Sequence, residues 1–320
     1  MCQLYRKNRP RRKTKTFWDT RLGGSLALPE NIDVCGLSPM FVHVARISAG
    51  ALLNITPADT RSHNMAGRVG VLVYGVVTYA LFLVTFLYAI GFIAGDAVQA
   101  DLIQTLIPKN IDTGAQGDLW MAVVINVAIL GLFGVQHSIM ARPAFKEWWT
   151  QFVPKPVERS TFVLATSLIL ILMFWQWRPI PQEVWRIDNQ AGFAAMLAIS
   201  GIGWLIVLAA TFMIDHFDLF GLTPTYLHFA GREAAPLEFK QVMLYRYIRH
   251  PIMTGFLIAF WATPVMTAGH LLFALVVTAY VLVALQLEER DLVTAIGEPY
   301  REYQKRVPML LPLRFGKRDD

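Results

Sequence analysis

The sequence predicts an all-α fold: a polytopic integral membrane bundle of about six transmembrane segments, the last two forming a tight hairpin. Three observations carry that expectation. Fifty-five per cent of the 320 residues are hydrophobic and 16% are charged, a balance too apolar for a water-soluble enzyme of this size. The apolar residues fall in runs near the roughly 17 to 25 residues that a ~30 Å hydrocarbon layer requires. Lys and Arg are concentrated in alternate connections, as topology signals are.

Residues 69–94 and 119–140 are each long enough to cross, the second with Asn126, Gln136 and His137 as polar exceptions. Residues 162–177 are a shorter third segment that ends in Trp175 and Trp177, amphipathic rings suited to the membrane interface. Residues 192–214 form the fourth. The fifth, 252–266, is marginal for a crossing and carries Pro264; the sixth, 271–287, follows after an uncharged connection, so the two read as one hairpin. The connection 95–118 holds Lys109 against Asp96, Asp101, Asp112 and Asp118, which places it outside. Arg142, Lys146, Lys155 and Arg159, then Arg232, Lys240, Arg246 and Arg249, place the connections after the second and fourth segments inside. Arg301, Lys305, Arg306, Arg314, Lys317 and Arg318 do the same for the tail, so both termini are expected in the cytoplasm. The formal charge of +6 is thus mostly juxtamembrane, a matter of topology and anionic lipid rather than of a nucleic-acid surface.

Residues 1–64 differ from the rest: a basic run from Arg6 to Lys15, scattered Gly and Pro, and no sustained apolar period. They are expected to be a disordered, dispensable extension, with Met65 resembling a natural start and residues 65–320 forming the membrane domain. Cys2 and Cys35 both precede the first segment, so the membrane body has no disulfide framework, zinc-binding CxxC or cysteine nucleophile.

The chemistry-bearing residues gather at the feet of the last hairpin. Tyr245-Arg246-Tyr247-Ile248-Arg249-His250-Pro251 opens it, and Glu288-Glu289-Arg290-Asp291 closes it. Charges beside a bilayer are costly and are usually retained for a task. Pro251 suits the first turn of a helix and pushes His250 out of helical geometry, holding it at the helix mouth. Arg246 and Arg249 add donors for a carboxylate or phosphate. Gly255, one turn further, leaves room for a ligand or a neighbouring helix. Glu288 and Glu289 lie near a helix end expected at Gly297, where acidic groups oppose the dipole. Cationic donors at one foot and carboxylates at the other match S-adenosylmethionine, with its amino-acid head, ribose diol and sulfonium. A bare set of positive-inside anchors and a solvated ion-pair cluster is the competing account.

These residues resemble a known signature. RHPIMTG, an apolar hairpin, EERDL and GEPYREYQKRVPMLLP are similar to the C-terminal signature of the isoprenylcysteine carboxyl methyltransferase-like superfamily of membrane methyltransferases. DHFDLFGL (215–222), residues 244–274, LEERDL (287–292) and HSIMARPAFKEWW (137–149) look closer to its bacterial methanethiol S-methyltransferase branch. The resemblance covers 65–312. The chain departs from the superfamily at Met253, where many members have Tyr, and the missing hydroxyl suits a small apolar acceptor.

The resemblance implies methyl transfer from S-adenosylmethionine to methanethiol, giving dimethyl sulfide and S-adenosylhomocysteine, in a bacterial inner membrane, with the cofactor-binding part at 240–312. Arg246, Tyr247, Arg249, His250, Pro251, Gly255, Glu288, Glu289 and Tyr300 are the candidate cofactor contacts, and His250, Glu288 or Glu289 the candidate catalytic groups. Phe260, Trp261 and His216 are candidates for the substrate pocket. Asp215, His216 and Asp218 lack a fourth ligand, so no metal is expected. His137 reads as interhelical hydrogen-bonding glue, His270 as interfacial, and Tyr303 with Tyr300 as a cover for adenine or an interfacial anchor. The partners implied are a small volatile thiol and the bilayer, with no obligate protein partner. A related enzyme acting on prenylcysteine, phospholipid or another thiol, a sterol-type NADPH-dependent reductase and a transporter are the alternatives.

Overall fold

The computed structural model describes residues 65–98, 101–233 and 241–312; the extension 1–64 with Cys2 and Cys35, Lys240, and the tail from Arg314 lie outside the described residues. Within them the chain runs α1 (Met65–Ala94), α2 (Asp101–Leu106), α3 (Leu119–Ala141), α4 (Pro143–Trp149), α5 (Lys155–Gln176) and strand β1 (Glu183–Arg186). It continues through α6 (Gln190–Ile214), α7 (His216–Leu219), α8 (Leu222–Phe229), α9 (Pro251–Trp261), β2 (Val265–Thr267), α10 (Ala268–Ile296) and α11 (Glu298–Arg306). The helices α1, α3, α5, α6 and α10 are long and apolar enough to cross a membrane. Their outward faces carry exposed Val84, Leu87, Val124 and Leu205, as lipid-facing surfaces do.

The fifth segment differs from the expected one. Only 11 of its residues are helical, so α9 spans ~16 Å at ~1.5 Å per residue and cannot cross a bilayer alone. The chain completes the distance in extended form. His250 touches Glu289 near the end of α10, whereas Ala268 begins α10, so residues 250–268 match about 30 Å of that helix. Extended backbone at membrane depth survives only where protein satisfies it. Here β2 pairs antiparallel with β1, Ile187 N–H reaches Pro264 O at 2.9 Å, Trp185 Nε1–H reaches Thr263 O at 3.1 Å, and Thr263 Oγ1 donates to Val265 O at 2.8 Å. The hairpin is therefore a half-helix and a strand packed against one long helix.

The same end of the bundle is riveted by buried polar pairs. Asn126 both donates to Arg178 O at 2.7 Å and accepts from Arg178 N–H at 2.9 Å, which accounts for an amide in an apolar helix. Thr267 Oγ1 donates to Asp112 at 2.6 Å while capping α10 at His270 N–H. His270 itself is buried and reaches Phe260 O at 2.9 Å, so it packs inside rather than at an interface.

At mid-bundle α9 lies directly on α6. A Cβ on Gly255 would stand 2.7 Å from Gly203 O and 2.9 Å from Val207 N, both backbone atoms that cannot swing aside. Glycine is used there because small residues let helix backbones touch. Gly255→Leu is therefore expected to separate α6 from α9 and to destabilise the detergent-extracted protein by about 3 kcal/mol, the upper end of overpacking costs. A thermal midpoint equal to that of the wild type would contradict this packing.

Candidate functional site

The predicted feet of the hairpin meet at the end of the bundle opposite the β-ribbon. His250 is the N-cap of α9 (φ −125°, ψ 62°) and Pro251 its first residue, as the proline geometry requires. Gly297 then turns the chain with φ 77°, a left-handed value that favours glycine, and α11 folds back so that Tyr300 and Gln304, one helical turn apart, face α10.

Glu289 is the hub. Its Oε1 lies 2.7 Å from Arg249 Nε and 2.8 Å from His250 Nε2, with Tyr300 OH donating at 3.4 Å. Its Oε2 accepts from Arg249 Nη2 at 3.0 Å and Gln304 Nε2 at 2.9 Å. The hydrogen bonds from His250, Tyr300, Arg249 Nη2 and Gln304 match the roughly four lone-pair sites of a carboxylate. Arg249 Nη1 is spent on Gln304 O (3.0 Å) and Val307 O (3.1 Å). The backbone amides of Arg249 and His250 donate to Pro308 O and Met309 O, and Thr254 Oγ1 donates to Leu310 O at 2.6 Å. Burial holds the His250 pKa down against the pull of Glu289, so the ring is neutral and gives its Nε2–H to the carboxylate. Burial raises the Tyr300 phenol, which stays a donor. Arg249, His250, Glu289 and Tyr300 thus lock three elements together.

Glu288 points elsewhere, because consecutive helical residues diverge by about 100°. On one face of α10, Glu289, Arg290 and Val293 border a groove of about 460 Å³ shared with Gln304 and Met309 of α11 and the segment after it. On the other, Phe273, Val277, Tyr280, Ala284 and Glu288 line a cavity of about 320 Å³ between the long helices. The cavity wall is almost wholly apolar, and Glu288 is buried in it. Ser138 and Tyr280 line it too, with their hydroxyls 3.4 Å apart, as does Arg142, which holds Asp291 at 2.7 Å.

The other predicted residues divide. Phe260 and His216 line the cavity, whereas Trp261 does not and donates its Nε1–H to Thr278 Oγ1 at 3.0 Å. His216 is held by Tyr79 OH at 2.8 Å and Thr211 Oγ1 at 2.9 Å and stacks on Phe212. Asp218 pairs with Arg159, and Asp215 caps α7. Among the described residues no group of three His, Cys, Asp or Glu is arranged to hold a metal ion. The space at Gly255 is taken by α6 rather than left to a ligand. Arg246 lies on the outside with its Nε–H on Gln241 O, and Tyr247 is exposed. Tyr303 is buried and donates to Tyr245 O at 2.5 Å, a packing role rather than an interfacial one. His137 is not hydrogen-bonding glue: its Nδ1 is buried without a partner among the described residues, and its ring faces the cavity between Phe133 and Phe162. Sequence reasoning missed Gln304 and Tyr280, and took Arg142 only as a topology signal and Asp291 only as one charge of the hairpin foot. Gln304 was findable from its spacing to Tyr300; the others are joined only by the fold.

No protein-family model matches the chain, and no solved structure matches it. Curated relatives do. Methanethiol S-methyltransferase 2 of Bradyrhizobium diazoefficiens is 51% identical over 254 residues, covering 79% of this chain and 94% of that protein. The methanethiol S-methyltransferase of Crocosphaera subtropica is 48% identical over 260 residues, 81% of this chain and 98% of its own length. Nurim of Bos taurus is more distant, at 31% over 179 residues, 53% of this chain and 68% of that protein. The reductase and transporter readings fall away. With about half of the aligned residues identical over nearly the full length of the two methanethiol S-methyltransferases, this membrane protein is a methyltransferase and belongs to the methanethiol S-methyltransferase family.

Proposed function

We propose that the protein transfers a methyl group from S-adenosylmethionine to methanethiol, giving dimethyl sulfide and S-adenosylhomocysteine, at the cytoplasmic end of a bundle in the bacterial inner membrane. The observation that carries this reading is the position of Glu288. It is a carboxylate in the wall of an apolar cavity between the long helices, on the same helix turn as a polar cluster and an open groove of mixed charge.

The methyl donor needs partners of both signs, and the groove has them. The Glu289 hub, Arg290, Gln304 and Met309 border it, with Arg246 and Tyr247 exposed on the segment leading into α9. When bound there, S-adenosylmethionine supplies an electrophilic methyl on a positively charged sulfur. The chain does the rest. The cavity takes the small lipophilic thiol out of water and limits its orientations, which strengthens charge interactions and raises effective concentration. Glu288 takes the thiol proton, since a thiolate and not a thiol is the competent nucleophile. His250, Arg249 and Tyr300 act through Glu289 by fixing α9 and α11 against α10.

The two ends of the bundle support the stated orientation. The acidic connection after α1 meets the β-ribbon end through Asp112, while Arg142, Arg159 and Arg249 all lie at the other. Six crossings leave residues 65 and 312 on one side. Headspace gas chromatography over cells fed methanethiol tests the reaction. The full chain is expected to yield dimethyl sulfide, and a His250→Ala chain present in the membrane at equal level is expected to yield only background. No dimethyl sulfide from the folded wild-type chain would refute the assignment.

A further inference from the structure

Methanethiol has two non-hydrogen atoms, and the cavity is far larger than such a ligand needs. A dry apolar cavity of roughly 150 Å³ is enough to hold benzene. The one here is about 320 Å³. It runs along α10 from Glu288 to Phe273, fifteen residues or about 22 Å of helix. Its walls are aromatic as well as apolar. Phe256 sits 5.9 Å from Trp204 at 89° and stacks on Phe260 at 5.5 Å and 25°, and Phe260 lies 5.1 Å from Phe273 at 75°, a mixed stacked and edge-to-face lining that one more ring can join. Cavity walls with no ligand atoms opposite them forfeit dispersion contacts, so an occupant that fills more of the space binds better.

Resting on the thiol-methyltransferase reading above, we propose that this cavity makes the protein a methyltransferase for bulky hydrophobic thiols, in particular thiols carrying an aromatic ring, and not for methanethiol alone. The sulfur lies beside Glu288 and the ring extends toward Phe256, about one and a half turns into α9 from His250. The reaction is R–SH plus a methylsulfonium donor giving R–S–CH3, the neutral thioether of the donor and a proton. One carbon–sulfur bond forms at the thiol, one breaks at the sulfonium, and the thiol proton passes to the Glu288 carboxylate.

Phenylmethanethiol is the probe, because its reacting group is an alkanethiol like methanethiol and only the attached ring differs. With the full chain in membranes and S-adenosylmethionine supplied, benzyl methyl sulfide and dimethyl sulfide are measured by gas chromatography with mass detection. The expected kcat/KM for phenylmethanethiol is equal to or greater than that for methanethiol, since each added methylene in an apolar pocket is worth roughly tenfold or more. A value lower than that for methanethiol overturns the inference and leaves the methanethiol reading intact. No product from either thiol overturns both. Ala284→Leu narrows the cavity one turn from Glu288 and is expected to cut the ratio of the two kcat/KM values, phenylmethanethiol over methanethiol, by about tenfold. An unchanged ratio in that variant would show that the ring lies outside the cavity and would likewise overturn the inference.

Discussion

Glu288→Gln is expected to lower methyl transfer by about 10³-fold, within the usual range for loss of a positioned base, while leaving a folded protein in the membrane. The substitution keeps the side-chain volume and its hydrogen-bonding reach, so the cavity wall stays packed. What it removes is the ability to hold a proton and a negative charge. Among the described residues no other carboxylate lines the cavity to replace that, and the thiol stays protonated beside the donor. The loss should fall on kcat, with KM for methanethiol little changed, because the apolar wall that binds the thiol is untouched. Headspace rates over a range of methanethiol concentrations, with the level of extracted protein measured alongside, separate the two parameters. Glu288→Asp, which keeps the charge but withdraws it by one methylene, should recover part of the rate. A Gln variant with wild-type kcat would remove Glu288 from the chemistry and turn attention to the histidines of the same cavity wall, His137 and His216.

How far the sequence shows this arrangement depends on the kind of interaction. The long helices were legible because apolar runs of bilayer length have few other uses, and the capping proline at 251 was legible because its constraint is local. The half-helix α9 was not legible as such. Pro264 and the two threonines of residues 262–267 hint at a break, but the hydrogen bonds from β1 that satisfy the extended stretch are encoded some eighty residues earlier. The pairing of Arg249 and His250 with an acidic residue was foreseeable from the two charged feet. Which of two adjacent glutamates takes which side was not, because a phase difference of about 100° around a helix has meaning only once neighbouring helices are placed. His137 shows the opposite case. Its place beside Gln136 at the end of the second segment suggested a polar contact between helices, yet the fold turns the ring between two phenylalanines and into the cavity.

Glu289→Ala is expected to act mainly on structure, and more severely than any exposed charge substitution. The Arg249 and Glu289 side chains are about nine-tenths buried, so removing the carboxylate strands a guanidinium and a histidine donor in a poorly solvated site. Breaking a buried pair from one side typically costs about 3–5 kcal/mol. The same carboxylate is the partner of Tyr300 and Gln304, so the loss should be felt first where α11 rests on α10. Amide hydrogen exchange gives a local readout. The N–H groups of Arg249 and His250, bonded to Pro308 O and Met309 O, should lose protection together with residues 300–307, while Asn126 and the other rivets at the β-ribbon end keep theirs. Activity should fall with the docking of α11, because the groove beside it loses one wall. Glu289→Gln preserves the shape and two acceptor sites on its one carbonyl oxygen, so it should retain more protection than the alanine variant while still leaving Arg249 without its counter-charge. Equal protection in wild type and Glu289→Ala would mean that the pairing of residues 308–310 with α9 suffices to hold α11, and that the Glu289 hub serves the methyl donor rather than the fold.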